Sequence, residues 1–572
     1  MNPVVKAQLK AFEKANPSTG LSENALFEVF SIFSTANGIL TENIDPFSAH
    51  LGGEEFGLDG IAIMVQGELC QTSDEVNGAL SSGKNHSVEF NLFQSKTSEK
   101  LDYGDLSKFF DGSHSFFIGD FVHPTEKLSD LMSAKEAVYG AALKRNPILH
   151  LFFVTTGPGE VSKQLRQLID TNKTRLLDLN LFDEVEISIL GAKDIQAGYR
   201  SATNSISEKI DIIKPITLPE HPSVEQAFLG LVSAEQLVQL ATISQSDESD
   251  RRINRAVFFD NIRDFNPNSS INKGILQELK EGNQESFIFK NNGVTVVAKE
   301  ITRKGDTFDL DDYQIVNGCQ TSNILFQAGY DAVGVFVPFR LIGSKDANFI
   351  SSIIVGTNKQ NEVKDDQFWA LTPFMKDLEE YCREQLGDLR IFIERRENQY
   401  RNEAIERTRI CRPSDLVKAI SAMFLFQPHR SARDYRGIRR EFSSKIFQDT
   451  HLVVPYHAAA FAAYRTDFAI RNKRVPSSWG IYKYYVLSAL GKKLTGGQEI
   501  FSLKKSRQEL ICNDIIEIFS DEQKMIDHYS RVGGILDVMV ANSSANTREK
   551  IRDFIRTESV AVQFDGDFGK LV

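Results

Sequence analysis

The sequence contains few cysteines, and their spacing rules out most cysteine chemistry. An odd number of widely separated cysteines, without a C-x-x-C pair, argues against a disulfide framework and against a structural zinc site. The five cysteines are Cys70, Cys319, Cys382, Cys411 and Cys512. The histidines form no H-E-x-x-H motif or other close pair. Any metal ion would therefore be held by oxygen atoms.

Long apolar segments are also absent. No run is as long as a membrane-spanning helix requires, and the polar N-terminus, with Lys6 and Lys10, lacks the apolar core of a signal peptide. The sequence therefore predicts a cytoplasmic protein without a membrane partner. It also lacks the motif G-x-x-x-x-G-K-[ST], which excludes a P-loop ATPase.

The composition is that of a globular chain with ample core material. Of the 572 residues, 41% are hydrophobic and 25% are charged, and this length predicts about three or four domains. A polar stretch at 196–209 marks the first boundary. We expect a multidomain α/β and α+β protein divided at 1–208, 209–345 and 346–572, with a mixed α/β centre and a mostly helical C-terminal region.

Two segments near the N-terminus combine an acid, an amide and a lysine. One apolar run follows Asp59, and another ends in Gln94-Ser95-Lys96. In a strand, residues two apart point to the same face, so Gln94 and Lys96 would project together. An acid on a neighbouring strand supplies the charged oxygen ligand that Mg²⁺ or Mn²⁺ needs. We expect Asp59 and Gln94 to bind the metal and Lys96 to assist the attacking water and the phosphate charge.

A simpler interpretation of these residues stays open. Gln94 and Lys96 can be the solvated end of a strand. Asp59 can be a hairpin residue, because an Asp-Gly dipeptide such as Asp59-Gly60 is typical of turns. The two interpretations differ in whether these side chains meet in the folded protein.

The motif resembles the PD-(D/E)XK restriction-endonuclease superfamily, in the variant where glutamine replaces the second acid. The resemblance implies an αβββαβ domain, and the predicted elements follow that order. Ser22 can cap a first helix, strands follow, and a helix at 131–143 precedes the apolar run 148–154. The resemblance also implies an acid on the first helix, here Glu28, as an indirect or water-mediated metal ligand.

A second set of motifs lies in the central part of the chain. Two asparagine-glycine pairs begin at Asn292 and Asn317, and the second opens the segment Asn-Gly-Cys-Gln-Thr-Ser. A Gly-Thr-Asn-Lys-Gln-Asn segment begins at Gly356. In their order and spacing these motifs resemble the AIPR family, the abortive infection phage resistance proteins, over roughly 220–445. The resemblance implies a defence role, and such proteins often carry an N-terminal nuclease-like region.

Both asparagine-glycine pairs can be explained by the backbone conformation that they allow. Asn and Gly tolerate positive φ, so each pair can reverse the chain between a strand and another element. A helix that opens after Gly318 would expose unpaired N–H groups, which can bind an anion. A structural turn and a phosphate or nucleotide contact therefore both stay open. The candidate ligand-binding residues are Asn292, Asn317, Gly318, Gln320, Thr321 and Asn358.

Charge is unevenly distributed along the chain. The net charge is −11, yet residues 390–445 contain fourteen Lys and Arg against seven Asp and Glu. The basic segment 429–445 suits contact with phosphates, to which arginine pairs in bidentate fashion. Because acids and arginines are mixed in 394–409, that segment is better explained as a solvated helix laced with ion pairs. The residues expected to bind nucleic acid are Arg433, Arg436, Arg439 and Arg440.

These features predict an antiphage defence protein in which an N-terminal Mg²⁺-dependent nuclease is fused to an AIPR sensing or scaffold module. The expected reaction is phosphodiester hydrolysis of nucleic acid, with DNA as the favoured substrate. The expected partners are nucleic acid, a second copy of the chain and other proteins of a defence system. The alternative is a module that binds nucleic acid or a nucleotide without cleavage, because glutamine in place of an acid lowers the negative charge at the metal.

Overall fold

The computed structural model describes most of the chain. It covers residues 1–17, 20–40, 44–81, 87–141, 143, 145–244, 251–258, 270–346, 349–350, 352–353, 356, 372–395, 399–400, 403, 405–432, 435–442 and 444–569. At positions 54, 55, 244, 270, 271, 435, 436, 439 and 549 it describes the backbone alone.

A mixed sheet forms the centre of the N-terminal region. Its strands are β1 (His50–Glu55), β2 (Leu58–Val65), β3 (Glu68–Cys70), β4 (Val88–Lys96), β5 (Ile148–Thr155) and β6 (Glu184–Leu190). The order across the sheet is β1-β2-β4-β5-β6, and β3 pairs with β2. Strands β1, β2 and β4 are antiparallel neighbours, whereas β4, β5 and β6 run parallel. The sheet therefore starts as an antiparallel meander and continues through helical crossovers.

Helices cover both faces of this sheet. They are α1 (Pro3–Ala15), α2 (Glu23–Phe33), α3 (Pro46–Ala49), α4 (Ser73–Leu80), α5 (Tyr103–Ile118), α6 (Glu126–Gly140), α7 (Lys163–Leu177) and α8 (Ala192–Thr203). One face packs on α4 to α7, the other on α1, α2 and α8. As predicted, the Ser22 hydroxyl caps α2 by accepting from the Ala25 N–H at 3.3 Å. The buried side chains of Phe27 and Phe30 then fix α2 on the sheet.

The central region contains a second sheet. The strands here are β7 (Ser207–Asp211), β8 (Ile213–Thr217), β9 (Gln226–Ser233), β10 (Thr242–Ser244), β11 (Arg251–Ile253), β12 (Val294–Lys304), β13 (Thr307–Asn317) and β14 (Phe336–Gly343). Strands β10 and β11 form a separate hairpin, and the others align in the order β7-β13-β12-β14-β9-β8. One face of this sheet packs on α9 (Ala234–Ala241), α10 (Ser270–Lys280), α11 (Gln284–Lys290) and α12 (Cys319–Ala328).

The C-terminal region is mostly helical around one core. Its helices are α13 (Pro373–Glu384), α14 (Pro413–Phe424), α15 (Pro428–Ser431), α16 (Tyr435–Phe442), α17 (Val454–Arg471), α18 (Lys483–Thr495), α19 (Lys505–Ser520), α20 (Glu522–Ala541), α21 (Arg548–Ile555) and α22 (Glu558–Gly569). Two short parallel strands, β15 (Phe392–Ile393) and β16 (Ile410–Cys411), join them. The prediction of a mixed α/β protein with a helical C-terminal region is confirmed. Of the helices in the described ranges, none has both the length and the apolar character needed to cross a membrane.

The described residues of 394–409 do not form the solvated helix that the charge pattern of this segment predicts. The described part of this segment consists of irregular chain and a short 3₁₀ turn between β15 and β16. Arg395 and Arg409 are buried there, where Arg395 pairs with Glu379 and Arg409 pairs with Glu406 at 2.7 Å. The prediction of ion pairs is correct, but these pairs lie inside the C-terminal core instead of facing solvent.

Ion pairs connect the N-terminal sheet to both other regions. Helix α21 directs Arg548 and Arg552 toward Asp130 of α6, each at 3.1 Å. From the central region, Arg255 reaches Glu89 of β4 at 3.0 Å. The N-terminal region is therefore in direct contact with the helical region and with the central region.

Candidate active site at one end of the N-terminal sheet

Antiparallel pairing brings the start of β2 to the end of β4. The register joins Gly60 to Phe93, so the preceding residue Asp59 lies beside Gln94. The turn between β1 and β2 consists of Phe56 and Gly57, which both have positive φ. Asp59 therefore lies within β2, shortly after this turn, and the Asp59-Gly60 dipeptide does not form the turn of the hairpin.

The Asp59 carboxylate is held by two consecutive residues of β4. The side-chain Nε2 of Gln94 donates to both carboxylate oxygens of Asp59, at 3.1 Å each. The N–H and the hydroxyl of Ser95 donate to Oδ2 of Asp59, at 2.6 and 3.0 Å. Gln94 is 2% exposed, which also excludes its interpretation as part of a solvated strand end.

The electrostatic surroundings hold Asp59 near the point of ionisation. Burial raises the pKa of Asp59 to about 7, and the negative charge of Glu28 contributes to the increase. Hydrogen bonds from Ser95 and the positive charge of Lys96 lower the pKa of Asp59 in part. An ionised Asp59 close to Glu28 is unfavourable by itself, so this pair of carboxylates favours a bound cation.

Glu28 approaches the site from helix α2 and is engaged by a histidine of β1. The Nε2 atom of His50 lies 2.7 Å from Oε2 of Glu28. The side chain of His50 is 6% exposed and that of Glu28 is 28% exposed. The predicted first-helix acid is therefore close enough to influence Asp59, and a buried imidazole fixes one of its oxygens.

Lys96 lies at the open end of β4, on the face opposite to that of Ser95. Its Nζ atom is 3.8 Å from Oδ1 of Asp105 at the start of α5. The Lys96 side chain is 36% exposed, so its ammonium group can reach a phosphate that approaches from solvent. Its charge also favours the ionised form of Asp59. The structure thus brings all four predicted catalytic residues to one end of the sheet.

The oxygen atoms around Asp59 suit a magnesium ion. In the ranges that the structure describes, no three His, Cys, Asp or Glu side chains come together as a metal site. The ligands would instead be one carboxylate, from Asp59, and one amide oxygen, from Gln94, with water completing the set. The Oε1 atom of Gln94 is buried and accepts no hydrogen bond. A half-turn of the Gln94 amide would place Oε1 where Nε2 now faces the Asp59 carboxylate. A cation between these oxygens would then satisfy Oε1.

Sequence reasoning missed three residues of the site, namely His50, Ser95 and Asp105. Ser95 lies between two predicted residues, but strand alternation assigns its side chain to the opposite face. Both its backbone N–H and its hydroxyl nevertheless donate to Asp59, which lies near the start of β2. His50 and Asp105 carry no local motif, since their partners lie 22 and 9 residues away in sequence.

The asparagine-glycine pairs of the central region form turns, as their backbone chemistry predicts. Gly318 joins β13 to α12 with a φ of 105°, and Gly293 precedes β12 with a φ of 84°. Nearby polar side chains bind one another. Gln320 donates to Asn272 Oδ1 at 2.5 Å, and Asn291 donates to Thr321 Oγ1 at 2.9 Å.

Of the other candidate ligand-binding residues in this region, Asn292 is exposed before β12 and Asn317 ends β13. Asn358 lies outside the described residues. The hydrogen bonds of Gln320 and Thr321 give both side chains a structural role in holding the start of α12. A ligand at this position stays a prediction.

The basic segment coincides with helix α16 and its surroundings. Arg440 is exposed on this helix, whereas Ile438 and Phe442 of the same helix are buried. Arg436 and Arg439 belong to the same helix by their backbone, and Arg433 lies outside the described residues. Nucleic-acid contact by this helix stays a prediction.

Comparison with protein families matches one part of the chain. Residues 258–531 match the model of the AIPR protein family. This finding confirms the predicted AIPR resemblance, although the match begins after the expected start near 220 and continues beyond 445 through most of the helical region. Neither the curated proteins nor the solved structures include a significant match to the chain. The candidate site around Asp59 lies before the matched segment, on a sheet of its own.

Proposed function

We propose that the N-terminal region is a Mg²⁺- or Mn²⁺-dependent nuclease of the PD-(D/E)XK type. The observation that carries this proposal is the meeting of Asp59, Gln94 and Lys96 at one end of the sheet, with Glu28 directed toward them from α2. These groups supply an anionic oxygen, a neutral oxygen and a cation within one site, a set suited to metal-dependent phosphodiester hydrolysis.

The topology of the sheet supports the same assignment. Helix α2 precedes the antiparallel strands β1, β2 and β4, after which helices α5 and α6 lead to the parallel strand β5. This is the αβββαβ order that the resemblance implies, with the short β3 and α4 inserted between β2 and β4. The candidate residues lie on α2, β2 and β4.

Each residue has a distinct role in the proposed reaction. Asp59 and Gln94 would hold the metal, and Glu28 would contact it through water. When bound, Mg²⁺ lowers the pKa of a coordinated water and offsets charge on the phosphate. Ser95 orients the Asp59 carboxylate by two hydrogen bonds. Lys96 offsets the negative charge that develops when water attacks phosphorus and the phosphorus–oxygen bond to the leaving group breaks.

The proposed biological role is antiphage defence of the abortive-infection type. The AIPR match over residues 258–531 supports this role. In this arrangement the AIPR segment senses infection or serves as a scaffold, and the basic helix α16 contributes to holding nucleic acid. DNA is the proposed substrate, and a homodimer or other defence proteins are the proposed partners.

A second candidate function is recognition of nucleic acid without cleavage. It is favoured by one observation, the neutral amide of Gln94 at the position where related sites carry a second acid. With one carboxylate fewer, the site attracts a divalent cation less strongly. A protein with such a site could retain binding and lose hydrolysis.

A cleavage assay with the purified full chain separates the two functions. Supercoiled plasmid, linear duplex DNA and single-stranded RNA are incubated with Mg²⁺, with Mn²⁺ or with EDTA, and products are resolved on gels. The nuclease proposal predicts phosphodiester cleavage that requires the metal and stops in EDTA. Retained binding in a gel-shift assay, with no cleavage under any metal condition, would support the binding module instead.

A further inference from the structure

We infer that His50 is a positioning residue of the nuclease site, holding the Glu28 carboxylate in the orientation that assists metal binding. The inference rests on the proposed nuclease function. Its basis is the contact of 2.7 Å between Nε2 of His50 and Oε2 of Glu28. In the described contacts this interaction engages one oxygen of Glu28, which leaves the other oxygen able to receive a water molecule.

The imidazole of His50 is itself firmly oriented. Its backbone pairs with Gly60, the residue next to Asp59. The His50 N–H donates to the Pro46 carbonyl, and the His50 carbonyl accepts from the Nζ atom of Lys127. Because the main chain is fixed on both sides and the ring is 6% exposed, the imidazole has little freedom to turn away from Glu28.

The Glu28 carboxylate needs a fixed hydrogen-bond partner because the glutamate side chain is flexible. A glutamate has three rotatable side-chain bonds, and the Glu28 side chain is 28% exposed. Without His50 its carboxylate could rotate into solvent, away from Asp59. Replacing a residue that orients a metal ligand typically lowers metal affinity or activity by about 10–100-fold. We expect His50 to affect metal affinity in this way through Glu28, which would contact the metal through water.

The test measures Mn²⁺ affinity of the full chain by isothermal titration calorimetry, without nucleic acid and at one fixed pH. His50→Leu removes the hydrogen bond, whereas His50→Gln keeps an N–H group at a similar distance from the main chain. We expect His50→Leu to weaken Mn²⁺ binding by about tenfold or more. We expect His50→Gln to bind Mn²⁺ close to the wild-type affinity, because it preserves the contact with Glu28.

A matched control comes from His150, a second histidine of the same sheet. His150 on β5 contacts Glu186 on β6 at 3.1 Å, away from Asp59. His150→Leu should leave Mn²⁺ affinity unchanged. A kinetic readout completes the comparison: His50→Leu should require more Mn²⁺ for half-maximal cleavage, while KM for DNA at saturating Mn²⁺ stays at the wild-type value.

A double-mutant cycle keeps the inference testable if His50→Leu folds poorly. His50→Asn, whose side-chain amide ends short of the Nε2 position, should weaken Mn²⁺ binding in the wild-type background but leave it unchanged in a Glu28→Gln background, where the acid that His50 positions is already gone. Wild-type affinity in His50→Leu, or equal weakening in His50→Leu and His50→Gln, would overturn the inference alone. Absence of both Mn²⁺ binding and cleavage in the wild type would overturn the proposed function and this inference together.

Discussion

Arg255 donates two hydrogen bonds to the carboxylate of Glu89, at 3.2 and 3.0 Å. Glu89 lies near the start of β4, and the same strand ends in Gln94 and Lys96. The central region therefore holds one end of the strand whose other end carries the candidate site. A rearrangement of the central region that moved Arg255 would act directly on this strand.

The Arg255–Glu89 pair should contribute measurably to stability. Glu89 is buried, so Arg255→Met removes both hydrogen bonds from its arginine partner, leaves among its described partners only the more distant His150 at 3.9 Å, and should lower the free energy of unfolding by about 1–3 kcal/mol. Chemical denaturation of the full chain measures this. As a control, Arg175→Met breaks an exposed pair with Asp111 and should cost less than about 1 kcal/mol. Equal small effects in both variants would contradict the assigned role.

The raised pKa of Asp59 makes stability depend on pH in a defined direction. Burial and Glu28 raise the pKa of folded Asp59 to about 7, above its ordinary value of 3.8. Between pH 3.8 and about 7, folding is therefore accompanied by uptake of a proton on Asp59. The stabilisation that depends on this protonation is complete below pH 3.8 and is lost as pH rises to about 7. Asp59→Asn removes the ionisable group, so above pH 7 the free energy of unfolding of the variant should exceed that of the wild type by about 1–4 kcal/mol.

Denaturation curves of wild type and Asp59→Asn between about pH 4 and pH 8 test this linkage. The difference between the two proteins should grow as pH rises. Added Mn²⁺ should reduce the difference at high pH, because a cation offsets the carboxylate charge. Parallel pH dependence in the two proteins, with no response to Mn²⁺, would mean that Asp59 titrates normally.

Gly318 should resist substitution for two separate reasons. Its φ of 105° is unfavourable for other residues, and an added Cβ would lie 2.5 Å from Cγ2 of Val294. Gly318→Val should therefore destabilise the protein by more than about 1 kcal/mol. Gly282 has a φ of 88° and open space around it, so Gly282→Ala reports the backbone cost alone and should be milder. Thermal unfolding that is equal in both variants would exclude the clash with Val294.

Much of the N-terminal fold could be predicted from sequence because its signals are local. The serine cap of α2, the apolar run of β2 and the Gln-x-Lys end of β4 each depend on a few neighbouring residues. Antiparallel pairing of the two strands, in the register that joins Gly60 to Phe93, then brings Asp59 beside Gln94. The turns at Gly293 and Gly318 follow from backbone chemistry in the same way.

The parts that sequence could not predict depend on distant contacts. His50 meets Glu28 only because α3 places it at the first position of β1, beside α2. Arg552 pairs with Asp130 from 422 residues away, and no periodicity encodes such a partner. The sequence predicts a solvated helix at 394–409, because a charge pattern shows which side chains are charged and not which of them are buried. Arg395 and Arg409 of this segment are buried because acids such as Glu379 and Glu406 are available in the same core.

The basic helix α16 should carry affinity for nucleic acid that the acidic remainder of the protein opposes. Replacing Arg433, Arg436, Arg439 and Arg440 with Gln should weaken DNA binding and flatten its salt dependence, by up to about 0.9 per lost phosphate contact on a logarithmic scale. Because phosphate contacts carry no sequence information, the loss should be equal for unrelated DNA sequences. Fluorescence anisotropy titrations at several salt concentrations measure both quantities.

A control for this prediction removes exposed basic residues elsewhere. Lys504, Lys505 and Arg507 are exposed at the start of α19, and their replacement with Gln should leave the salt dependence nearly unchanged. A wild-type slope in the α16 variant would assign nucleic-acid binding to the N-terminal region alone.

The central claim is that Asp59 and Lys96 carry out metal-dependent hydrolysis, and the rate of DNA cleavage tests it most directly. Asp59→Asn and Lys96→Gln should each lower the Mg²⁺-dependent rate by about a hundredfold or more, while both variants stay folded. Asp111→Asn and Lys100→Gln, which remove exposed charges outside the site, should cleave at the wild-type rate. Cleavage at the wild-type rate by Asp59→Asn or Lys96→Gln, at equal protein and metal concentration, would contradict the account.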